Sequence, residues 1–155
     1  MRIEVEDHHG PSDIDPDSLR RWAEQALFAE GYPTNSELSI TIVGDQEMAR
    51  LNADALGNKA PTDVLSFPLE EMQPGLPPPF LIDGPPRLLG DIVIAPDYIR
   101  RQAQDLDVSF QDEVALMITH GVLHLIGYDH QTDSEAEAME HRERIILKAQ
   151  GLVRR

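Results

Sequence analysis

Cysteine is absent from this chain of 155 residues. The chain therefore forms no disulfide bond and offers no thiolate to a metal ion, so any metal site must use histidine or carboxylate side chains. This absence is typical of a reducing compartment, and we expect a cytoplasmic protein. Long apolar runs are absent as well, so the sequence predicts no membrane span, and the acidic residues 1–10 do not resemble a secretory signal peptide.

Positive charge is scarce, since 13 Lys and Arg residues stand against 28 Asp and Glu residues, which gives a formal net charge of −15. Such a balance argues against broad, sequence-independent binding of nucleic acid, which depends on basic side chains. If the substrate is RNA, a local basic patch or a partner must supply the attraction. The apolar fraction of 41% is high enough for a folded core, and the length suits one domain over residues 1–155.

Apolar periodicity predicts the order β-α-β-α-β-β-α-α-α, with strands near residues 2–6, 37–43, 64–67 and 89–95. Strands and helices mix without strict alternation, which indicates an α+β domain with a small mixed sheet of about four strands surrounded by helices. Six of the twelve prolines fall within residues 70–87. That segment is too long for a simple turn and predicts a surface excursion or a lid.

Capping residues predict where the helices begin. Asp15 precedes Pro16 at the first helix, and Asp45 and Ser109 are the expected caps of the second and fourth. Residues 114–126 are apolar on nearly every side, which predicts a helix buried at the centre of the domain. The last helix is expected to be capped by Asp133 or Ser134 and to turn inward a stripe made of Ala138, Met139, Ile145 and Ala149.

Three of the six histidines fall within eleven residues of this central region. His120 and His124 are one helical turn apart, so their rings project from one face of a helix. Gly127 can end that helix in a left-handed conformation, and the chain can then bring His130 back toward the other two rings. Three converging imidazoles predict a site for one zinc ion per chain with a fourth position left open, and the site should lie on the central helix.

The spacing matches the zinc-peptidase motif H-E-x-x-H-x-x-G-x-x-H at its three histidines and its glycine. Gly121 stands where the peptidases carry a glutamate that acts as general base. The sequence therefore keeps the predicted metal geometry and lacks the usual proton acceptor, which disfavours a peptidase. An isolated H-x-x-x-H pair more often has a packing or surface role than a metal-binding one. The third histidine after a glycine makes metal binding the favoured interpretation.

Two further signatures accompany the histidines: the run P-T-D-V-L-S-F-P at residues 61–68 and L-G-D-I at residues 89–92. Together with H-G-V-L-H-L-I-G-Y-D-H at residues 120–130, they resemble the YbeY family of bacterial rRNA maturation endoribonucleases. The resemblance implies a zinc-dependent endoribonuclease that cuts single-stranded RNA. It would mature the 3′ end of small-subunit ribosomal RNA and act in ribosome quality control, with His120, His124 and His130 as the metal ligands.

One position departs from the family. Many members carry an arginine shortly before the T-D-V-L-S-F run, and alignment puts Leu56 there, which cannot neutralise a phosphate. Lys59 can substitute in part as a point charge, and Arg87 and Arg100 are further candidates for phosphate contact. Asp129 is expected either to orient an imidazole of the site or to accept backbone N–H groups in a turn. We therefore name Asp129 and Lys59 as candidate catalytic residues. Ser66 is expected in the cleft, and Asp63 is expected either to line the cleft or to cap a turn.

The expected partners are single-stranded ribosomal RNA and the small ribosomal subunit or its assembly proteins, with neither DNA nor a membrane. Two other classes stay open on the sequence. One is a metallopeptidase-like hydrolase, supported by the histidine spacing and opposed by Gly121. The other is a non-catalytic ribosome-assembly factor whose zinc is structural, and this reading requires a fourth protein ligand.

Overall fold

A computed structural model describes residues 1–10, 12–58, 60–79 and 84–155, and the predicted order of elements is confirmed along them. The strands are β1 (Arg2–Asp7), β2 (Ser36–Ile42), β3 (Val64–Pro68) and β4 (Arg87–Ile94). The helices are α1 (Pro16–Ala29), α2 (Asp45–Leu56), α3 (Pro96–Leu106), α4 (Phe110–Leu125) and α5 (Asp133–Ala149).

The four strands form one mixed sheet in the order β1-β2-β4-β3. Strand β2 lies parallel to both β1 and β4, whereas β3 runs antiparallel to β4 at the edge. Buried and partly buried residues alternate along β2, so Leu38, Ile40 and Ile42 point into the core, as the period of two in the sequence predicts. The expected α+β fold with a small mixed sheet is therefore confirmed.

Helix α4 lies at the centre of the domain, where it contacts β3, β4, α1, α3 and α5. Ser109 caps it as predicted, since its hydroxyl accepts the Asp112 backbone N–H at 3.0 Å. Eleven of its 16 residues are buried, and each fully buried aliphatic side chain contributes about 1.5–3 kcal/mol. This packing fixes the position of any functional group on α4. Although α4 is strongly apolar, no helix in the described part of the chain has the length and hydrophobicity needed to cross a bilayer.

Two predicted N-cap residues are wrong by one or two positions. Gly44, not Asp45, is the N-cap of α2, and the Asp45 carboxylate pairs instead with Arg101 at 2.7 Å. At α5 the cap is Thr132, whose hydroxyl accepts the Glu135 N–H at 3.1 Å. Threonine supplies the same acceptor as serine or aspartate, so neighbouring candidates cannot be separated by residue type alone.

The inner stripe predicted for α5 is wrong at Ala138, Ile145 and Ala149, which are exposed, and right at Met139. The buried residues of this helix are Met139, Glu143, Ile146 and Leu147. A glutamate occupies the inward position between the apolar residues. A search for apolar positions alone therefore places the stripe on the wrong side of the helix.

Two adjacent histidines follow β1; His8 is exposed and His9 is partly buried. The His9 side chain is 19% exposed, and its Nε2 lies 2.9 Å from the Asp97 carboxylate in the first turn of α3. This hydrogen bond raises the pKa of His9 above its ordinary value of 6.5, against a smaller opposing effect of burial. The contact ties the end of β1 to α3.

A raised folded-state pKa adds stability that is complete below the unfolded value and is lost as the pH rises through the folded value. We therefore expect His9→Gln to lower the free energy of unfolding more at about pH 5.5 than at about pH 8.5, by roughly 0.5 kcal/mol for this partly screened pair. Urea unfolding at the two pH values measures the difference. Asp97→Asn should remove the same pH dependence, and a loss that is equal at both pH values would contradict the assignment.

Candidate metal centre

The three predicted histidines lie together in the structure. On α4, the Nε2 atoms of His120 and His124 are 3.0 Å apart, and the rings meet edge to face with centroids 4.5 Å apart. The ring of His130, after the bend, lies 5.5 Å from His120 and 4.9 Å from His124 between centroids. One nitrogen from each ring falls within 4.8 Å of the other two. The cluster can therefore hold a metal ion, as its spacing in the sequence predicts.

The bend that returns His130 depends on a glycine. Gly127 has φ +105°, a conformation that L side chains rarely adopt, and a Cβ at this position would overlap the Met72 carbonyl oxygen. Met72 belongs to the proline-rich excursion, which thus lies against the bend at Met72 and Gln73. Of the predicted excursion or lid, residues 80–83 lie outside the described residues.

The bend is also tied to the end of α1. The Tyr128 hydroxyl donates a hydrogen bond to the Glu30 carboxylate, which also accepts from Arg142 Nε at 2.8 Å. Glu30 and Tyr128 are both buried, and burial raises the pKa of Tyr128 well above its ordinary value of 10, so its hydroxyl stays protonated and donates. A carboxylate shared by a guanidinium and a phenol holds the bend firmly in place.

Hydrogen bonds on the outer nitrogens fix the tautomers of the two α4 histidines. Nδ1 of His120 lies 3.0 Å from Glu143 Oε2, and Nδ1 of His124 lies 2.9 Å from the Tyr128 carbonyl oxygen. A carbonyl oxygen and a carboxylate accept hydrogen bonds, so each Nδ1 must carry a proton and each neutral ring has a bare Nε2.

Two bare nitrogens 3.0 Å apart repel each other unless a cation lies between them. Nitrogens bound to one tetrahedral zinc ion at about 2.0–2.1 Å lie about 3.3 Å apart, close to the separation found here. The residues present therefore fit a metal ion.

The charge state of His124 agrees with this role. Burial is the largest effect that lowers the pKa of His124, and the neighbouring His120 ring lowers it further. The ring is therefore neutral at pH 7 and keeps the lone pair that a metal requires.

The described residues place no fourth histidine or carboxylate with the three nitrogens. Structural zinc sites are closed by four protein ligands, whereas catalytic sites retain an open position. Three protein ligands are the number typical of a catalytic zinc site.

Gly121 explains why the peptidase glutamate is missing. A Cβ on Gly121 would lie 3.1 Å from Ile92 Cγ2 and 3.3 Å from Ser66 Oγ, because α4 crosses the sheet closely at this point. The Ser66 hydroxyl donates to the Gly121 carbonyl at 3.0 Å and holds β3 against the helix. A glutamate here would have to fit its side chain into this close contact between α4 and the sheet, which disfavours the peptidase arrangement in this fold.

The triad opens into a cleft of about 790 Å³ bounded by the end of α2, by β3 and by the bend. Asp63 and Ser66 line it, as does Leu56, which is 71% exposed. The described lining contains no lysine or arginine, while Asn58 offers a side-chain amide; the Asn52 amide donates instead to the Ala60 carbonyl at 2.9 Å. The candidate catalytic Lys59 lies outside the described residues.

The other candidates for contact with a phosphate lie elsewhere. Arg87 pairs with Glu70 at 2.7 Å, and Arg100 pairs with Asp13 at 3.2 Å and covers the Phe110 ring. Neither arginine is among the residues that line the cleft.

Asp129 lines the cleft beside the third histidine, and its carboxylate accepts the His130 backbone N–H at 2.8 Å. This is the turn role considered for Asp129 from the sequence. The partners of the two α4 imidazoles are Glu143 and the Tyr128 carbonyl. A catalytic role for Asp129 stays a prediction.

Sequence reasoning missed Glu143, although its side chain is only 2% exposed and contacts His120. It also missed Glu113, another buried carboxylate, on α4 itself. A usable signal was present, because Glu143 stands four residues after Met139 and three before Ile146 and so falls on their helix face. A charged residue within an apolar stripe is costly unless it is paired.

The sequence is similar to those of proteins from one family. The model of a protein family described as endoribonuclease YbeY matches residues 3–151. Endoribonuclease YbeY of Thermobifida fusca is 41% identical over 148 residues, covering 96% of this chain and 90% of that protein. The protein of the same name from Bacillus subtilis is 42% identical over 157 residues, covering 99% of this chain and 98% of its own.

One solved structure shares the fold at low sequence identity. The solution structure of a Thermotoga maritima protein superposes with a TM-score of 0.58 at 22% identity, covering 96% of this chain and 91% of that one. This likeness supports the α+β architecture described above.

Proposed function

Because this chain belongs to the endoribonuclease YbeY family, we propose that its histidine cluster is the active site of a metal-dependent endoribonuclease. The protein hydrolyses phosphodiester bonds in RNA and acts in ribosomal RNA processing. Within that activity we assign one zinc ion per chain to His120, His124 and His130. The substrate we assign is single-stranded RNA at the 3′ end of the small-subunit ribosomal RNA, with a further role in ribosome quality control. Residues 1–155 form one such domain, in the cytoplasm.

The observation that carries the proposal is the pair of bare Nε2 atoms 3.0 Å apart, with the third ring beside them. A divalent metal ion bound there supplies positive charge that polarises a phosphodiester and promotes deprotonation of the attacking group. The three rings hold the ion, and Glu143 and the Tyr128 carbonyl keep two of them in the tautomer that binds metal.

The walls of the cleft orient the substrate. The Asn58 side-chain amide can donate a hydrogen bond to a phosphate or base oxygen, and exposed Leu56 offers an apolar contact to a base. Asp129 holds the bend at the third ligand, and we assign to Lys59 a point-charge contact with a phosphate.

The net charge of −15 opposes unaided capture of RNA. We therefore assign presentation of the substrate to the small ribosomal subunit or its assembly proteins, which places the cut strand in the cleft. Neither DNA nor a membrane is a partner.

The activity is tested with the full chain on a single-stranded RNA, its duplex and the matching DNA strand. We expect cleavage of the single-stranded RNA alone. A metal chelator should lower the cleavage rate at least about 100-fold, and added zinc should restore it. A rate that is unchanged by the chelator would contradict the metal site. Hydrolysis of unstructured peptides in place of RNA would support the metallopeptidase, which the packing around Gly121 opposes.

A further inference from the structure

Two arginines that follow α5 reach back to two carboxylates buried beneath the candidate active site. Arg154 bonds Glu143, and Arg155 bonds Glu113. The side chains of Glu143 and Glu113 are 2% and 1% exposed, so each requires a compensating positive charge. Both arginines lie beyond residues 3–151, which the family model matches.

The first arginine is one contact away from a candidate metal ligand. Arg154 Nε donates to Glu143 Oε1 at 3.2 Å, and Glu143 Oε2 accepts from His120 Nδ1 at 3.0 Å. The two oxygens of one buried carboxylate are thus divided between the guanidinium and the imidazole. Arg154 is itself largely shielded, with 18% of its side chain exposed, and it also approaches Glu140 at 3.6 Å.

The second arginine is similar in chemistry but does not reach a histidine. Arg155 Nε lies 2.8 and 3.0 Å from the two oxygens of Glu113. Gln102 Nε2 donates to Glu113 at 2.6 Å and approaches the Asp63 carboxylate at 3.3 Å. This chain of contacts ends at the wall of the cleft and involves none of the three metal-binding nitrogens.

We propose that Arg154 is a positioning residue of the metal centre, which acts through Glu143 to set the orientation and tautomer of His120. The inference rests on the proposed metal site and adds a residue outside the matched family region. Without Arg154, the Glu143 carboxylate loses the partner that fixes its rotation, and its second oxygen lies in a buried apolar setting. The carboxylate then turns toward other donors, and the His120 ring loses the acceptor that keeps Nε2 bare. Outer partners of metal-binding histidines commonly contribute 10–100-fold to metal affinity.

The experiment titrates Co²⁺ into the metal-free full chain and follows its visible absorption spectrum, which reports ligand number and geometry. Wild type is compared with Arg154→Met, Arg154→Lys and the matched control Arg155→Met. The control removes the same charge from the same segment and leaves another buried carboxylate without its guanidinium partner. Thermal unfolding of each metal-free variant measures the loss of stability separately.

We expect Arg154→Met to weaken Co²⁺ binding about tenfold and to alter the spectrum, and Arg154→Lys to recover part of the affinity. Arg155→Met should lower the melting temperature by a similar amount and leave Co²⁺ affinity and spectrum unchanged. Equal Co²⁺ affinity in wild type and Arg154→Met, or equal losses in the two methionine variants, would overturn the proposal.

A second pair of variants decides the question if Arg154→Met does not fold. Arg154→Lys should then bind Co²⁺ at least about threefold more weakly than wild type, since lysine lacks the planar fork, while Arg155→Lys binds as wild type does. Unchanged affinity in Arg154→Lys would overturn the proposal in that case. Failure of the wild-type chain to bind Co²⁺ at all is a different result, which removes the metal site itself.

Discussion

Replacing His124 by alanine is expected to lower bound zinc well below one ion per chain and to reduce RNA cleavage by about 1,000-fold or more. His124 supplies one of the two closely spaced Nε2 atoms, and its ring is held by the Tyr128 carbonyl. Its loss leaves two imidazoles, too few for a stable site that also keeps an open position. Elemental analysis of the purified variant and a single-stranded RNA assay measure the two effects.

His141→Ala is the matched control for this variant. His141 is an exposed residue of α5 and does not belong to the histidine cluster. Its replacement removes the same ring and should change neither zinc content nor cleavage. Equal zinc in His124→Ala and the wild-type chain would show that the ligands are misassigned.

Gly121→Glu is expected to destabilise the fold by about 3 kcal/mol or more, because it forces a charged side chain between α4 and the sheet. The added Cβ alone would lie 3.1 Å from Ile92 and 3.3 Å from Ser66. Rebuilding the peptidase motif in this way should therefore produce no peptidase. Urea unfolding gives the loss of stability, and a peptide-cleavage assay tests for the activity.

Gly121→Ala separates the crowding from the added charge. Alanine favours a helix by about 1 kcal/mol over glycine, and that gain offsets part of the cost of the tight contact. The free energy of unfolding is therefore expected to change by no more than about 1 kcal/mol. Urea unfolding should thus show that Gly121→Ala is more stable than Gly121→Glu by roughly 2 kcal/mol or more. A Gly121→Glu protein as stable as wild type would mean that α4 and the sheet can separate at this point.

Local patterns in the sequence were sufficient for the order of the elements and for the three histidines. The period of two in β2 and the nearly continuous apolar surface of α4 each reflect contacts that form locally or along one element. His120 and His124 follow from helix geometry alone. The return of His130 could be expected because Gly127 permits a left-handed turn, although its overlap with Met72 could not.

The partners of the imidazoles could not be found in this way. Glu143 reaches His120 from another helix, 23 positions away, and its place on the face of Met139 and Ile146 indicates burial without indicating which residue it contacts. The same is true of Glu113 and its arginine, 42 positions apart. Which charges are buried depends on how the helices rotate against one another, and that is settled by the packing of the whole core.

The contact between Tyr128 and Glu30 spans 98 positions, and that between Arg142 and Glu30 spans 112. During translation Glu30 leaves the ribosome long before Tyr128 and Arg142. The bend that presents His130 therefore cannot be fixed in place until all three residues have emerged. We therefore expect the capacity to cut RNA to arise only once synthesis has passed α5.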